Sequence, residues 1–445
     1  MLPLVAALCA KLNECTWANG CCKRHPGACK AKVTASRQPQ QRGAKQSAEA
    51  DRTECECGGN TPAAAHDANA SLFPTTATKW GLPTAPCSGV STHLLQEYPL
   101  RHAEWKAQGR IFYVCDFQPL RGWGNYLQIL PVALVVAVLL DLALVLDCGN
   151  AIPHNRSLRE LGAEAFFAGP HFDWHRGERS IPPQNMVTLR TDNRPVSASK
   201  VAQVLAAPLR QLLQARPSAV AYQAVRFVPG SARTLLVADD ALRRHAVQKV
   251  GSVATSDMLD ACLFRYLLAP SQRAIDQLAN FRLPVAPSGL LRLASAHVRL
   301  GDPSMSKNKR AKTVARTKMI SDLYHKSPGS LFQCLRSHSR IPGACLRCAI
   351  VTDDAHVEKG ARAHLRAPVI TSGHAVHTGK NSAKDLTDGN MAKIYVDWWL
   401  LALSHTMLRA TGDKVSSTFS ATAGTFRDGT DEPGSTINLV RECKW

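Results

Sequence analysis

Regular hydrophobic patterning begins only at about residue 96. Residues 1–95 are rich in Ala, Thr, Pro, Lys, Arg and Gln, and they show no sustained hydrophobic period. A segment of this kind buries too little apolar surface to offset the entropy that a chain loses when it becomes ordered. We therefore predict that residues 1–95 form a disordered, cysteine-rich tail or stalk.

The first regular pattern is a strand, a glycine turn, a helix and another strand. The segment "RIFYVCDF" at 110–117 has the composition of a strand, and "QPLRGWGN" at 118–125 has that of a turn. The apolar run that follows is predicted to form a helix over about 126–140 and a buried strand over 142–148. This order predicts a β-α-β unit with a parallel sheet.

The apolar run at 129–146 also has to be compared with a transmembrane helix. Its 18 residues are near the lower limit for crossing a bilayer. Asp141 lies inside the run, where a charge is costly. A helix and a strand buried together in a doubly wound core explain the same hydrophobicity without a membrane, and we predict that arrangement.

The rest of the chain indicates a helical middle and a second α/β region. Helices are predicted over 200–215, where Pro208 interrupts the period, and over 257–268. The second region is predicted to contain a strand at 291–298, a strand at 344–354, a helix or helix–strand pair at 396–408, and a polar turn opening into a helix at 416–424. Polar residues at the carboxyl ends of parallel strands are typical of a ligand crevice. The fold class is therefore predicted to be α/β.

The charge balance favours an anionic partner. The formal net charge is +20 and the isoelectric point is about 9.6, which suits nucleic acid, an anionic membrane surface or a phosphorylated small molecule. The densest basic run, at 307–318, has no interleaved aromatic residues. Stacking platforms for bases are therefore missing from this run, and no nucleic-acid partner is expected.

Cysteines and glycosylation sequons permit passage through the secretory pathway. Fifteen cysteines are present, eight of them in the first 87 residues, and sequons begin at Asn69 and Asn155. Such cysteine usage is typical of an oxidising compartment. The apolar start of the chain is too short to read as a clear signal or anchor.

Five short motifs occur in an order that carries more information than any one of them. They are "GWGN" (122–125), "HVRLGD" (297–302), "VTDD" (351–354), "DWWLL" (397–401) and "SSTFS" (416–420). This order resembles the GDP-fucose-dependent fucosyltransferases of the GT-B type, a group that includes α-1,6-fucosyltransferases, protein O-fucosyltransferases and plant xyloglucan fucosyltransferases. The pairing of "HVRLGD" with "DWWLL" and "SSTFS" is the most specific part of the resemblance.

The resemblance implies a fold of two Rossmann-like domains with a crevice between them. Residues 96–285 would form the acceptor-side domain with the "GWGN" turn, and 286–445 the nucleotide-sugar-binding domain. It further implies an inverting, metal-independent transfer of L-fucose from GDP-fucose to a glycan or glycoprotein acceptor, with no cofactor beyond the donor. By the same resemblance, the protein would work in the Golgi or endoplasmic reticulum lumen, with or without a membrane anchor.

Arg299 is the residue to which the resemblance assigns catalysis, because negative charge develops on the β-phosphate as the glycosidic bond breaks. A guanidinium stays charged and binds phosphate through two parallel hydrogen bonds, and preorganised positive charge stabilises such a transition state. The residues that the resemblance assigns to the nucleotide-sugar site are Gly122, Gly124, Asn125, His297, Arg299, Asp302, Asp353, Asp354, Asp397, Ser417, Thr418, Phe419 and Ser420.

The resemblance has one departure from the family's pattern and two open assignments, the partner of guanine and the general base. Trp123 and Tyr126 stand where the family more often has a small or aliphatic residue and an arginine. Any one of the carboxylates could accept the two N–H donors of guanine. The general base is also open, with Asp173 and His175 as candidates. The alternatives to a fucosyltransferase are a catalytically inactive relative that binds sugar nucleotides or glycans, and a basic nucleic-acid-binding protein.

Overall fold

The computed structural model divides the chain into two units, Met1–Ala68 and Asn69–Trp445. In the first unit it describes one antiparallel pair, Trp17–Ala18 with Cys21–Cys22; the rest of the predicted tail up to residue 86 lies outside the described residues. The described ranges are 17–18, 21–22, 87–114, 123–146, 162–175, 187–190, 198–223, 231–286, 289–300, 324–341, 344–374, 387–409, 417–429 and 435–443.

The first half of the second unit is built around one parallel sheet. The strands described in this half are β1 (Ile111–Val114), β2 (Ala143–Val145), β3 (Phe167–Ala168), β4 (Val187–Arg190), β5 (Ala219–Gln223) and β6 (Ala269–Pro270). Its helices are α1 (Tyr98–Ala107), α2 (Trp123–Leu127), α3 (Leu130–Leu139), α4 (Ala198–Ala215), α5 (Ser231–Val237), α6 (Asp240–Val250), α7 (Leu259–Leu267) and α8 (Gln272–Ala279). Strands β2, β1, β5 and β4 lie side by side in that order, all parallel, while β3 and β6 pair separately in an antiparallel manner.

The long apolar run forms a helix, α3, followed by a strand, β2, as its pattern predicts. The predicted "GWGN" turn is wrong, because Trp123–Leu127 form the short helix α2, which is separate from α3. All ten residues of α3 are buried, and β2 follows it as a buried strand beside β1. A helix that is hydrophobic all round is stable only where every face is covered, and the sheet and α6 and α7 cover α3 here. Among the described residues, no helix is long and apolar enough to cross a bilayer.

The predicted tail extends too far along the chain, because residues 87–95 are packed against the core. Leu94 is fully buried, and Ser91 donates a backbone hydrogen bond to the carbonyl of Val250 at 2.8 Å. Cys87 is joined to Cys262 by a disulfide. Composition alone could not show this, because the partners that cover the segment lie more than 150 positions away.

The second half of this unit is built around a second parallel sheet. The strands described in this half are β7 (Leu291–Val298), β8 (Arg340–Ile341), β9 (Ala344–Cys345), β10 (Arg347–Thr352), β11 (Ser404–Arg409) and β12 (Ser435–Asn438). Its helices are α9 (Pro328–His338), α10 (Ala355–His364), α11 (Asp388–Ala402), α12 (Thr418–Asp428) and α13 (Leu439–Glu442). Strands β10, β7, β11 and β12 lie in that order, all parallel, and β8 pairs with β9 as a short hairpin. The predicted α/β fold with two Rossmann-like sheets is therefore confirmed.

The two sheets share one continuous hydrophobic core. Helix α12 packs on α2 and α7 of the first half. The indole N–H of Trp399 on α11 donates to the carbonyl of Phe166 at 3.0 Å, which satisfies the polar atom of a buried ring. Residues from both halves therefore surround the region where the second sheet presents the ends of its strands.

Two disulfides close long stretches of chain. Cys87 and Cys262 are 175 positions apart, and Cys334 and Cys443 are 109 positions apart. We expect the double variant Cys87→Ser/Cys262→Ser to lose about 2–5 kcal/mol of unfolding free energy, because the cross-link restricts the unfolded chain. Urea denaturation of the unmodified protein and of the double variant under non-reducing conditions measures this loss. The unfolding midpoints of the two proteins should converge once a reductant is added. Equal unfolding midpoints without reductant would contradict the prediction.

Candidate functional site

The carboxyl ends of three neighbouring strands bring polar side chains to one edge of the second sheet. Strand β7 is central, and His297 near its end is in register with Val351 of β10 and with Arg409 of β11. Arg299 and Asp353 come directly after β7 and β10. Because the strands are parallel, these residues share the edge at which ligands bind in open α/β sheets.

Asp353 holds Arg299 and the backbone beside it. Its Oδ2 lies 3.6 Å from Nε of Arg299, and its Oδ1 accepts a hydrogen bond from the backbone N–H of Leu300 at 3.0 Å. The side chain of Arg299 is 35% exposed, so the guanidinium is oriented by a carboxylate and still reaches solvent. An arginine held in this way can meet an anion with little reorganisation.

Asp354 is occupied in a different way from its neighbour. Its side chain accepts the backbone N–H of His356 at 2.7 Å and caps the N-terminus of α10. Capping by aspartate satisfies one of the free N–H groups of the first helical turn. The two adjacent aspartates therefore have separate tasks in the structure, one beside Arg299 and one at a helix end.

His297 faces an aromatic ring at the same edge. Its ring centroid lies 5.6 Å from that of Phe419. Burial, and after it the nearby cations of Arg299 and Arg409, lower the pKa of His297 to about 3. The imidazole is therefore neutral at physiological pH and offers one donor and one acceptor rather than a positive charge.

Residues 417–420 of the "SSTFS" segment form the start of a helix, as predicted; Ser416 lies outside the described residues. Ser417 is the residue before α12, and no side chain caps the helix there. The Oγ of Ser417 is buried and has no hydrogen-bond partner within the described ranges. The first N–H groups of an α-helix lack partners inside the helix and attract anions, so this uncapped terminus with a buried hydroxyl is suited to a phosphate.

Gly124 brings the "GWGN" helix into backbone contact with this helix start. A Cβ added at Gly124 would lie 2.4 Å from the backbone nitrogen of Phe419 and 2.5 Å from its Cα. Glycine is the only residue that allows so close an approach of two backbones. Two motifs that are almost 300 positions apart in the sequence therefore meet at one point, with Asn125 half-buried beside it.

The two residues that depart from the family's pattern belong to the core. Trp123 and Tyr126 stack with ring centroids 5.5 Å apart, and the Trp123 ring also packs against Phe167 and Tyr395. The hydroxyl of Tyr126 donates to the carbonyl of Leu146. These side chains thus fix the position of α2 by packing.

We expect Gly124→Ala to disturb the site more than a typical surface substitution does. The new methyl group would force α2 and α12 apart, and overpacking of this kind costs about 1–3 kcal/mol. The free energy of unfolding should fall by that amount, because the start of α12 has to move. Gly389→Ala is the matched control, since a Cβ there meets no atom within 4 Å. Equal stability of the two variants in urea denaturation would count against the close contact.

Arg409 is a cation of this edge that the sequence analysis missed. Its Nη1 donates to the carbonyl of Ser420 at 3.1 Å, and its Nε is buried without a hydrogen-bond partner in the described part of the chain. Burial lowers the pKa of Arg409, although the group stays charged at neutral pH. The signal was present, because the apolar segment that ends in Arg409 resembles the one that ends in Arg299.

Asp397 lies in a buried ionic cluster rather than on the open edge. Its Oδ2 is 3.2 Å from Nζ of Lys393, its Oδ1 accepts the hydroxyl of Thr371 at 2.5 Å, and Lys393 also contacts Glu358 at 3.2 Å. Burial raises the pKa of Asp397 to about 6, and Lys393 opposes that rise. The spacing of four residues between a lysine and an aspartate in an apolar helix could have signalled this pair.

Some of the remaining predicted site residues lie outside the part of the chain that the structure describes. Gly122 and Asp302 are outside the described residues. Thr418 begins α12, and Ser420 is buried with its Oγ donating to the carbonyl of Ser417 at 3.3 Å. Each therefore belongs to the first turn of the helix that faces His297 through Phe419.

The two candidate bases form a hydrogen-bonded pair beside the end of β2. Nδ1 of His175 lies 2.6 Å from Oδ1 of Asp173, and the backbone N–H of Leu146 donates to the carbonyl of Trp174. Hydrogen bonding to His175 holds the pKa of Asp173 well below its usual range, with Lys106 adding to the effect. A carboxylate that orients an imidazole is a known arrangement for a general base, so the pair keeps its place as a candidate.

Comparison with known proteins gives matches among solved structures only. No family model matches the chain, and no curated protein matches it. The chain is similar to a mutant of Arabidopsis thaliana FUT1 in complex with GDP, at 12% identity and a TM-score of 0.44, over 76% of this chain and 78% of that one. It is similar to the NodZ α-1,6-fucosyltransferase soaked with GDP-fucose, an enzyme of Bradyrhizobium, at 16% identity and a TM-score of 0.39, over 71% and 92% of the two chains.

A third solved structure is POFUT1 in complex with GDP. It has 12% identity to this chain and a TM-score of 0.32, over 74% of this chain and 97% of that one. The FUT1 mutant and POFUT1 were solved with GDP, and the NodZ α-1,6-fucosyltransferase was soaked with GDP-fucose.

Proposed function

We propose that the protein is an inverting fucosyltransferase that moves L-fucose from GDP-fucose to a glycan or glycoprotein acceptor. The observation that carries the proposal is the meeting of three motifs at one edge. Arg299 projects there under the control of Asp353, the uncapped start of α12 lies beside it through the contact of Phe419 with His297, and Gly124 touches that helix start.

Arg299 and the start of α12 would stabilise the leaving group. As the bond between fucose and the β-phosphate breaks, its electron pair passes to a phosphate oxygen. The guanidinium and the free N–H groups of the first helical turn can bind that oxygen. Asp353 already orients Arg299, so little reorganisation is needed when the charge develops. This positive charge would replace the metal ion that other glycosyl transfers use, and we propose a metal-independent reaction.

The donor's nucleotide would lie against His297 and Phe419. The neutral imidazole can donate or accept one hydrogen bond, and an aromatic ring offers a face for the ribose or the guanine. An acceptor hydroxyl would attack the anomeric carbon from the side opposite to GDP, which inverts the configuration. The acceptor proton would pass to a base, for which the Asp173–His175 pair is the candidate.

Two measurements test the proposal in sequence. Calorimetric titration with GDP, and with ADP as the matched control, should give saturable binding of GDP alone. Release of GDP from GDP-fucose in the presence of an acceptor panel, with GDP-mannose as the control donor, should then show turnover that a chelator does not reduce. Binding of GDP without any turnover would favour an inactive relative instead, and the absence of GDP binding would reject both.

We further propose that the protein works in the lumen of the Golgi or endoplasmic reticulum. The two disulfides of the described ranges support this, because structural disulfides persist in oxidising compartments. Cell fractionation, together with glycosidase treatment to reveal modification of Asn69 and Asn155, tests the proposal. Recovery of unmodified protein with the cytosol would reject it.

A further inference from the structure

A basic cavity lies at the amino edge of the first sheet. It has a volume of about 720 Å³, which is within the range of small-molecule sites. Arg110, Asp141 and Arg216 line it and come just before β1, β2 and β5. Since the proposed donor site uses the carboxyl edge of the other sheet, this cavity is a separate feature of the molecule.

Three of the four arginines around the cavity have no acidic partner among the described residues. Arg210 is paired with Asp239 at 3.3 Å. The carboxylate of Asp141 is occupied by Lys249 at 2.6 Å. Within the described part of the chain, the positive charges left around the cavity belong to Arg101, Arg110 and Arg216, and an anion would neutralise them.

Arg110 is held in place before any ligand arrives. Its Nη2 donates to the carbonyl of Asp141 at 3.0 Å, and its guanidinium lies 5.5 Å from the ring centroid of Trp105. Both contacts restrict the side chain without neutralising it. A cation fixed in this way gives up little conformational entropy when it binds a ligand.

The rest of the cavity wall is formed by buried apolar side chains and a half-buried histidine. Leu140, Leu212 and Leu242 are buried and form part of the lining, and His245 is half-buried. Such a mixture suits an organic ligand that carries anionic groups rather than a bare ion, because the apolar wall would contact the carbon skeleton.

Arg216 occupies a backbone position that usually favours glycine. It directly follows α4 with φ at 47°, in the left-handed region that glycine adopts at the ends of helices. Arg282 has the same left-handed backbone with φ at 50°, is exposed, and does not line the cavity. The chain thus provides a matched pair of arginines, one at the cavity and one away from it.

We propose that this cavity is a second binding site, for a small organic ligand of about disaccharide size that carries two or more phosphate or sulfate groups. Arginine is the residue best suited to such oxoanions, because its planar fork forms two parallel hydrogen bonds with them. The proposal is independent of the fucosyltransferase activity, because it uses none of the residues assigned to the donor site.

The test is calorimetric titration with two probes at physiological ionic strength, in saturating GDP. A sugar bisphosphate represents a phosphorylated ligand, and a doubly sulfated disaccharide represents a sulfated glycan. We expect at least one probe to bind with one-to-one stoichiometry. Arg216→Gly and Arg101→Ala should each weaken that binding about tenfold or more, the usual size of a lost charge-assisted hydrogen bond.

Arg282→Gly is the control for both charge and backbone. This variant removes one positive charge and relieves the same left-handed conformation, but at a position away from the cavity. Its affinity for the probe should therefore equal that of the unmodified protein. The melting temperature of Arg216→Gly should be no lower than that of Arg282→Gly, which separates lost binding from lost folding. Equal loss of affinity in the two glycine variants, or no saturable binding of either probe, would overturn the proposal.

Discussion

Replacement of Arg299 by alanine is expected to reduce fucose transfer by about 100- to 1,000-fold, or about 3–4 kcal/mol of transition-state stabilisation. The variant should stay folded, because the side chain is 35% exposed and its described ion pair is at 3.6 Å with Asp353. Arg299→Lys keeps the charge but loses the planar fork, so its turnover should also fall strongly. Initial rates of GDP release from GDP-fucose, with circular dichroism to check folding, measure the effect.

Arg292→Ala is the matched control for this substitution. Arg292 lies on the same strand, β7, near its opposite end, and its side chain is exposed. Removing it changes the net charge equally but leaves the carboxyl edge untouched, so turnover should be unchanged. Wild-type turnover in a folded Arg299→Ala protein would mean that this arginine only serves the structure around Asp353.

Replacement of Lys393 by methionine is expected to lower the free energy of unfolding by about 3–5 kcal/mol. The side chain of Lys393 is 1% exposed, and its Nζ lies 3.2 Å from a carboxylate oxygen of Asp397 and 3.2 Å from one of Glu358. Methionine fills a similar volume but leaves the buried carboxylate of Asp397 and the partly exposed carboxylate of Glu358 without their cation. Urea denaturation at neutral pH measures the loss.

Two further variants identify the cause of that loss. Lys106→Met removes a lysine whose partner Asp173 is 66% exposed, and exposed pairs contribute at most about 1 kcal/mol. The double variant Lys393→Met/Asp397→Asn removes one of the stranded charges and should regain part of the stability. A loss in Lys393→Met no larger than in Lys106→Met would mean that the buried cluster is not a strong interaction.

Helices and strands that are determined by the hydrophobic pattern of their own segment could be predicted from the sequence. The run that forms α3 and β2 was interpreted correctly because its hydrophobicity exceeds what a surface helix needs, and Asp141 marks the turn between them. Strand β7 and the start of α12 were also predicted, since an apolar segment that ends in polar residues is itself the signal.

Features that depend on distant partners could not be predicted in the same way. The packing of residues 87–95 depends on Cys262, which is 175 positions from Cys87. The contact of Asp397 with Thr371 depends on a loop that the helix pattern does not reveal, whereas the four-residue spacing from Lys393 was visible in the sequence. Arg409 escaped notice because the segment before it could be divided into helix and strand in more than one way. For residues 87–95 and for the contact of Asp397 with Thr371, the missing information was which surfaces of the fold meet.

The contact at Gly124 also limits how the molecule can move. Helix α2 follows a strand of the first sheet and α12 follows a strand of the second, yet their backbones touch with no room for a side chain between them. A hinge motion that separated the two sheets at this point would break that contact. A rotation that turns about this contact would leave the distance unchanged, so any relative motion of the two sheets that preserves the contact has to turn about Gly124 and Phe419.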